Sequence, residues 1–377
     1  MLQSGARRRL ASHVRRFLVK QAIFPGDRSV EFVEMEIPRA VEDWAVIKVI
    51  VAPLCTEYKG CYDGQQTNRI GHEAAGEVVE AGPRATVSPG DRVVMMPSLA
   101  CGKCSICASG FYMHCENWHD YEAVQGSTAG GGTLTQYLAR PSFLLLPAPD
   151  DMPLERAALA GCALGPTFGA MQKLNVTAFD TVLITGLGPV GLGGVVNGRF
   201  RGARVIAAEP APWRAERARA MGAALVLDPT EGDPVAAIRD FTGGHGVDYA
   251  IDCSGNVHGQ RLCIDATRRL GGVAFVGECQ DTLEITVSRD MLRKGLTLVG
   301  NWHFNRHDYA RILQVIERSD LLDLLVSHTF PMSEIARAFE LQQAAESAKI
   351  LLRPWDSPRR LAGHGAATGQ QNTTKSL

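Results

Sequence analysis

No stretch of this 377-residue chain approaches the roughly 18 consecutive apolar residues of a membrane-spanning helix. The N-terminal segment also lacks the unbroken apolar core of a secretory signal, so a cytoplasmic protein is expected. An excess of charge of one sign is missing too, since 39 Lys and Arg face 40 Asp and Glu for a formal net charge of −1. Nor does any basic stripe interleaved with aromatics run along the chain, which argues against a phosphate backbone as partner. Nucleic acid and a membrane are therefore poor partner candidates. No internal repeat of about 20 to 50 residues is visible, which argues against a solenoid.

Acidic residues are absent before Asp27, whereas Arg7, Arg8, Arg9, Arg15, Arg16 and Lys20 crowd the start. That composition suits an organellar transit peptide, but without a clear amphipathic repeat a basic N-terminal extension over residues 1–16 is equally compatible. Residues 356–377 are rich in Gly, Ala, Thr, Gln and Ser, with too few apolar side chains to offset the entropy of ordering, and are expected to be disordered.

What is present is apolar material for two cores: 45% of the chain is hydrophobic, and a chain of this length ordinarily divides into two domains. From about residue 17 to 164, short β-branched runs such as AVIKVIVAPL and DRVVMMP are broken by Gly and Pro, as in a compact β-rich domain. From about 165 to 305 the texture alternates strand and helix: TVLITGLG, ARVIAAE, ALVLD, DYAIDCSG, GVAFVGE and LTLVG are apolar strands separated by helical patterns. This α/β alternation implies a parallel sheet covered on both faces. Residues 306–355 return to helix and short strand and are expected to complete the first domain.

The ten cysteines are expected to be reduced thiols, which makes metal ligation the leading use for any cluster. Cys101, Cys104, Cys107 and Cys115 form a C-x2-C-x2-C-x7-C array within a lobe of about residues 95–117. Four thiolates with no open position describe a structural zinc site, with an iron–sulfur cluster as the rival. Further along, TVLITGLGPVGLGG gives a strand, then Gly186, Gly188, Pro189, Val190 and Gly191, then the start of a helix. That context turns a G-x-G-x-x-G into a dinucleotide fingerprint. Glu209 ends the next strand, close to the ~20-residue offset at which a carboxylate accepts from the adenosine ribose and repels a 2′-phosphate. NAD is therefore expected over NADP, although Arg214 keeps a 2′-phosphate partner available. Asp252 and Ser254 close a later strand and are either cofactor contacts or turn residues.

Gly71, His72 and Glu73 open GHEAAGEVVEAG, with Cys55 upstream and Cys162 downstream. The G-H-E-x2-G-x5-G pattern resembles the zinc-alcohol-dehydrogenase signature. The order of isolated Cys, GHE, four-cysteine lobe, second Cys and glycine fingerprint resembles the zinc-containing medium-chain dehydrogenases over roughly residues 17 to 353. The resemblance implies a GroES-like β-rich catalytic domain plus a doubly wound Rossmann dinucleotide-binding domain. It implies two zincs per chain, the catalytic one on Cys55, His72 and Cys162, with the fourth position left to water or substrate. Glu73 takes the place of the family's acidic residue beside that zinc, either a transient ligand or an ion-pair partner. A homodimer or homotetramer is implied as well.

One departure stands out. After the first zinc cysteine the family shows a small residue, then Ser or Thr, then Asp, whereas Thr56, Glu57 and Tyr58 follow here. Counted by position, Glu57 replaces the hydroxyl that passes the substrate proton and Tyr58 replaces the Asp that steadies the zinc histidine. Glu57 is therefore expected to act as a base, as a zinc ligand, or as a plain hinge carboxylate. Together with Tyr58 and with Asn301, Trp302 and His303, it points to a hydroxyl-rich substrate: a polyol, sugar, cyclitol or aminocyclitol. Alternatives are a secondary alcohol or hydroxy amino acid, a zinc-free quinone or enone reductase, and a non-catalytic NAD-sensing or metal-binding protein.

Overall fold

The computed structural model describes residues 18–355; the expected N-terminal extension and C-terminal tail lie outside them. Its most buried layer is a six-stranded sheet in the order Leu225–Leu227, Arg204–Ala208, Thr181–Thr185, Val247–Asp252, Thr267–Phe275, Thr297–Gly300, with every neighbour parallel. These runs are apolar at successive positions because helices cover both faces. Val182, Leu183 and Ile184 are wholly buried. Three of the covering helices, Pro189–Phe200, Pro212–Ala220 and Pro234–Phe241, open on proline, whose missing N–H is an orphan there and whose fixed φ suits a first turn. The strand order reverses beside Thr181–Thr185, which opens a crevice at the carboxyl ends of the strands.

The second large sheet is mixed. It runs Val326–Pro331, Lys349–Arg353, Trp44–Leu54, Ala75–Ala81, Arg92–Met95, Leu145–Pro147, and Tyr137–Pro141 also pairs with Trp44–Leu54. The long strand Trp44–Leu54 is buried along most of its length and carries the core of this half of the molecule. Lys349–Arg353 lies antiparallel to it, with Ile350 opposite Leu54 and Leu352 opposite Ala52. One further step in that register sets Lys349 beside Cys55. The chain thus delivers a residue from its far end to the place where the first predicted zinc ligand leaves the sheet. These two units are the GroES-like and Rossmann-type layers that the motifs imply.

Candidate catalytic centre and cofactor cleft

Cys55 leaves the strand Trp44–Leu54 at its buried end, His72 precedes the strand Ala75–Ala81, and Cys162 lies just before the helix Gly165–Lys173. With Glu73 they place one ligand atom each within 4.8 Å of one another. His72 Nε2 is 3.2 Å from Cys162 Sγ and 4.0 Å from Glu73 Oε1. Its other nitrogen, Nδ1, is 3.0 Å from Glu57 Oε1. The imidazole is therefore anchored on one side and faces the thiols with the other, the arrangement of a metal-ligating histidine. Against the desolvation that burial imposes, the Glu57 carboxylate pushes His72 well above its ordinary pKa. The contact between the two sulfurs holds the Cys55 thiol well below its usual value and pushes Cys162 up. Two buried sulfurs and an inward imidazole nitrogen fit zinc, and these residues would hold it.

The geometry corrects two expectations. Both Glu57 oxygens are engaged, Oε1 with His72 and Oε2 with the Cys55 N–H at 2.7 Å, so the carboxylate does not stand toward the substrate as a base, and it is absent from the ligand cluster. Burial opposes its ionisation, but the charge on His72 outweighs that and lowers Glu57 to about 2. Tyr58 does not take the supporting role either; it lines the cleft instead. Glu73 has a second job: its Oε2 accepts from the Cys162 N–H at 2.9 Å, and its Oε1 meets Lys349 Nζ at 2.5 Å. Lys349 is fully buried, and against the desolvation that burial imposes, the Glu73 carboxylate pushes it above its ordinary value.

The four-cysteine lobe folds round a common point. Cys104 Sγ lies 3.9 Å and Cys101 Sγ 3.6 Å from Cys115 Sγ, and all four sulfurs fall within 4.8 Å of one another. Backbone N–H groups of Cys101 and Asn117 donate to Cys115 Sγ at 3.3 Å each, and Cys107 N–H donates to Cys104 Sγ at 3.5 Å. None of the ten cysteines forms a disulfide. A closed S4 set with amides turned toward sulfur fits a structural zinc.

Across from the metal residues, a cavity of about 640 Å³ runs along the sheet crevice. Gly186, Gly188, Pro189, Val190, Glu209 and Arg214 line one side, with Cys55, Thr56, Tyr58 and Gln342 on the other. Gly186 has φ +75°, and a Cβ there would lie 2.4 Å from Ser254 Cα. Gly191 does not line the cavity; a Cβ there would lie 1.9 Å from Gly186 O, so it serves the close approach of helix to strand. A Cβ on Gly188 would meet nothing within 4 Å, which leaves the bare amides at the start of Pro189–Phe200 open to a pyrophosphate. Glu209 lines the cavity and also fastens the glycine loop, its Oε2 accepting from Leu187 N–H and its Oε1 from Ala211 N–H. Arg214 lines the cleft while also reaching the return segment. Its Nε donates to Ser347 O at 3.2 Å and an Nη to Gln342 O at 3.4 Å. Asp252 turns inward, taken up by Thr185 and Ser254 as a strand-end turn residue.

Residues 41–150 match the alcohol dehydrogenase GroES-like domain and residues 189–318 the zinc-binding dehydrogenase domain. An L-threonine 3-dehydrogenase of Symbiobacterium thermophilum is 30% identical over 339 residues, covering 85% of this chain and 93% of that protein. The chain belongs to the zinc-type medium-chain dehydrogenase/reductase family. An erythritol/L-threitol dehydrogenase of Mycolicibacterium smegmatis is 29% identical, covering 88% of this chain and 95% of the relative. The solved alcohol dehydrogenase of Thermus sp. ATN1 superposes with a TM-score of 0.80 at 26% identity, covering 89% of this chain and 99% of its own. As a member of this family the protein is an NAD(P)-linked alcohol dehydrogenase.

Within the family frame, the departure after Cys55 acquires a simple explanation. Glu57 makes the contact with His72 that the family's Asp makes from the position where Tyr58 stands here. The hydroxyl-then-acid order of the family therefore survives as Thr56–Glu57, one residue closer to the cysteine, and the missing element is the small residue. Thr56 lines the cofactor cleft and also a second cavity of about 300 Å³ that reaches His72. Sequence reasoning did not find Lys349 or Gln342. Gln342 donates to Cys55 O at 2.9 Å from 287 residues away, and nothing periodic marks either residue.

Proposed function

We propose that the protein transfers hydride between NAD and a secondary alcohol of a polyol, sugar, cyclitol or aminocyclitol, with catalytic zinc held by Cys55, His72 and Cys162 and a second zinc in the four-cysteine lobe. The observation that carries the reading is the two-thiol, one-imidazole set next to a cleft whose glycine loop leaves amides exposed at a helix start. Zinc bound there supplies a Lewis acid for the substrate oxygen. Glu57 fixes the orientation of His72. The Thr56 hydroxyl, open to both cavities, takes the proton from the substrate hydroxyl and passes it outward. Glu209 closes the cofactor end, where its carboxylate disfavours a 2′-phosphate and so supports NAD over NADP. A buried Glu73–Lys349 pair fixes the Cys162 N–H from behind.

A cytoplasmic homodimer or homotetramer acting on a small molecule completes the proposal. No helix among the described residues is long and apolar enough to cross a membrane. The threonine dehydrogenase relatives favour a hydroxy amino acid as the second reading. A zinc-free reductase is disfavoured by the presence of both thiol sets. The experiment is a panel of polyols, cyclitols, amino alcohols and hydroxy amino acids offered with NAD and followed by NADH absorbance. Turnover of hydroxyl-rich compounds supports the first reading, and turnover confined to hydroxy amino acids replaces it with the second.

A further inference from the structure

The second cavity, about 300 Å³, has His72 and Thr56 in its wall together with Glu57, Gln65, Thr67 and Arg69. Arg69 is the one Lys or Arg among the residues that line it. It donates its backbone N–H to Thr67 Oγ1 at 3.2 Å, and its guanidinium has no hydrogen-bond or ion-pair partner among the described residues. The carboxylate in the same wall does not neutralise it. Glu57 spends Oε1 on His72 Nδ1 at 3.0 Å and Oε2 on the Cys55 N–H at 2.7 Å. One uncompensated positive charge therefore shares a cavity with a proposed zinc ligand and with the hydroxyl that takes the substrate proton.

The backbone that carries Arg69 is fixed on both sides. Ile70 is buried, and its carbonyl accepts from the N–H groups of Thr133 and Leu134 at 2.8 and 3.0 Å. Asn68 gives its carbonyl to Gln21 Nε2 and its own Nδ2 to Thr128 Oγ1. The loop that follows makes room for the arginine stem: a Cβ on Gly131 would stand 2.7 Å from Arg69 Cδ and 3.0 Å from its Cγ. A charge carried on a held backbone and a packed stem loses less freedom when it binds. Three residues separate Arg69 from His72, so their Cα atoms lie at most about 11 Å apart, a span that a short carbon chain bridges. The chemistry selects the anion. A guanidinium meets the two oxygens of a carboxylate with two parallel N–H groups, and one positive charge balances one negative charge. Thr67 Oγ1 already accepts from Arg69, which leaves its own proton for the same carboxylate.

We infer that Arg69 is a specificity-determining residue that binds a carboxylate of the substrate, so that the protein acts on a hydroxyl-rich acid in preference to a neutral polyol. This rests on the proposed function and narrows it from polyhydroxy substrates at large to those with an acid group. A neutral analogue of the same length leaves the guanidinium to water, and a cationic one, such as an aminocyclitol, meets a like charge.

The test compares Arg69→Met, which keeps an unbranched stem without the charge, and Arg69→Lys, which keeps the charge without the fork. The zinc-loaded parent and variants are each given an aldonate, the alditol of equal carbon number and the phosphate ester of that alditol. Two quantities are read: the aldonate to alditol ratio of kcat/KM, and the Kd of the aldonate in the non-reacting complex with NADH. The parent should favour the aldonate about tenfold or more, and Arg69→Met should lower that ratio and weaken that Kd about tenfold each, with Arg69→Lys between. A parent that oxidises the alditol as well as the aldonate overturns the inference and leaves the proposed function standing. An unchanged ratio and Kd in Arg69→Met do the same, because they reduce Arg69 to a solvated surface charge. Equal losses on both substrates also overturn it, since Arg69 is then a support for its loop. A parent that prefers the phosphate ester to the aldonate overturns the assignment to a carboxylate. If the parent turns over none of the three, both readings fall together.

Discussion

Glu57 Oε1 lies 3.0 Å from His72 Nδ1, while Glu57 Oε2 accepts from the Cys55 N–H at 2.7 Å. One buried carboxylate therefore orients two of the three proposed zinc ligands. Glu57→Leu removes both contacts and should weaken catalytic zinc about 10- to 100-fold, as loss of a ligand-orienting partner generally does. Competitive chelation followed by metal analysis measures this. The four-cysteine lobe should keep its ion. Unaltered zinc affinity with slowed turnover would return Glu57 to the role of base.

Cys104→Ser opens the closed S4 set, so the chain should lose the lobe zinc and part of its thermal stability while Cys55, His72 and Cys162 stay loaded. Calorimetry with zinc counting reads both effects. An unshifted Tm with full zinc content would mean that the lobe does not hold a structural ion.

Glu209→Gln retains the size of the side chain and an oxygen for the glycine loop but removes the charge that disfavours a 2′-phosphate. The NADP to NAD ratio of kcat/KM should rise at least fivefold. No rise would show that selectivity lies elsewhere on the cleft wall.

Asp290 is buried and accepts from Arg289, Arg261 and the Thr286 N–H. The Arg289 and Arg261 guanidiniums hold its carboxyl well below the usual range. A carboxylate lowered on folding stabilises the fold above its unfolded pKa, near 4, and that contribution is lost as pH falls from there toward the folded value. Asp290→Asn should therefore cost about 2 kcal/mol at neutral pH. The gap between parent and variant in urea unfolding should hold down to about pH 5 and shrink below about pH 4. A gap that widened on acidification would contradict this sign.

What could be read from the chain alone was local. The four-cysteine lobe spans fifteen positions, from Cys101 to Cys115, and the glycine fingerprint six, so each carries its steric and chemical demands within one turn of chain. The ligand trio was legible by its order in a known family. Positions set by long-range packing were not. Lys349 reaches Glu73 across 276 residues through strand register, and Gln342 reaches Cys55 through a helix of the return segment. The role of Glu57 stayed open between base, ligand and hinge carboxylate because counting residues after Cys55 assumes equal loop length. Reach to His72 Nδ1 decides the role, and one missing residue in the turn moves the duty by one position. His303 was noted only as a polar neighbour. Its left-handed backbone and its contact with Cys162 exist only in three dimensions.

The central claim is that a zinc on Cys55, His72 and Cys162 carries the oxidation of a hydroxyl-rich alcohol. Its most direct test is a chelator titration of the purified protein in which zinc per chain and alcohol-dependent NADH formation are measured on the same samples. The account predicts two zincs per chain at the start and activity that falls in step with the loss of the more labile one. Both should return together on adding zinc. Activity that persists after that zinc has gone would contradict it.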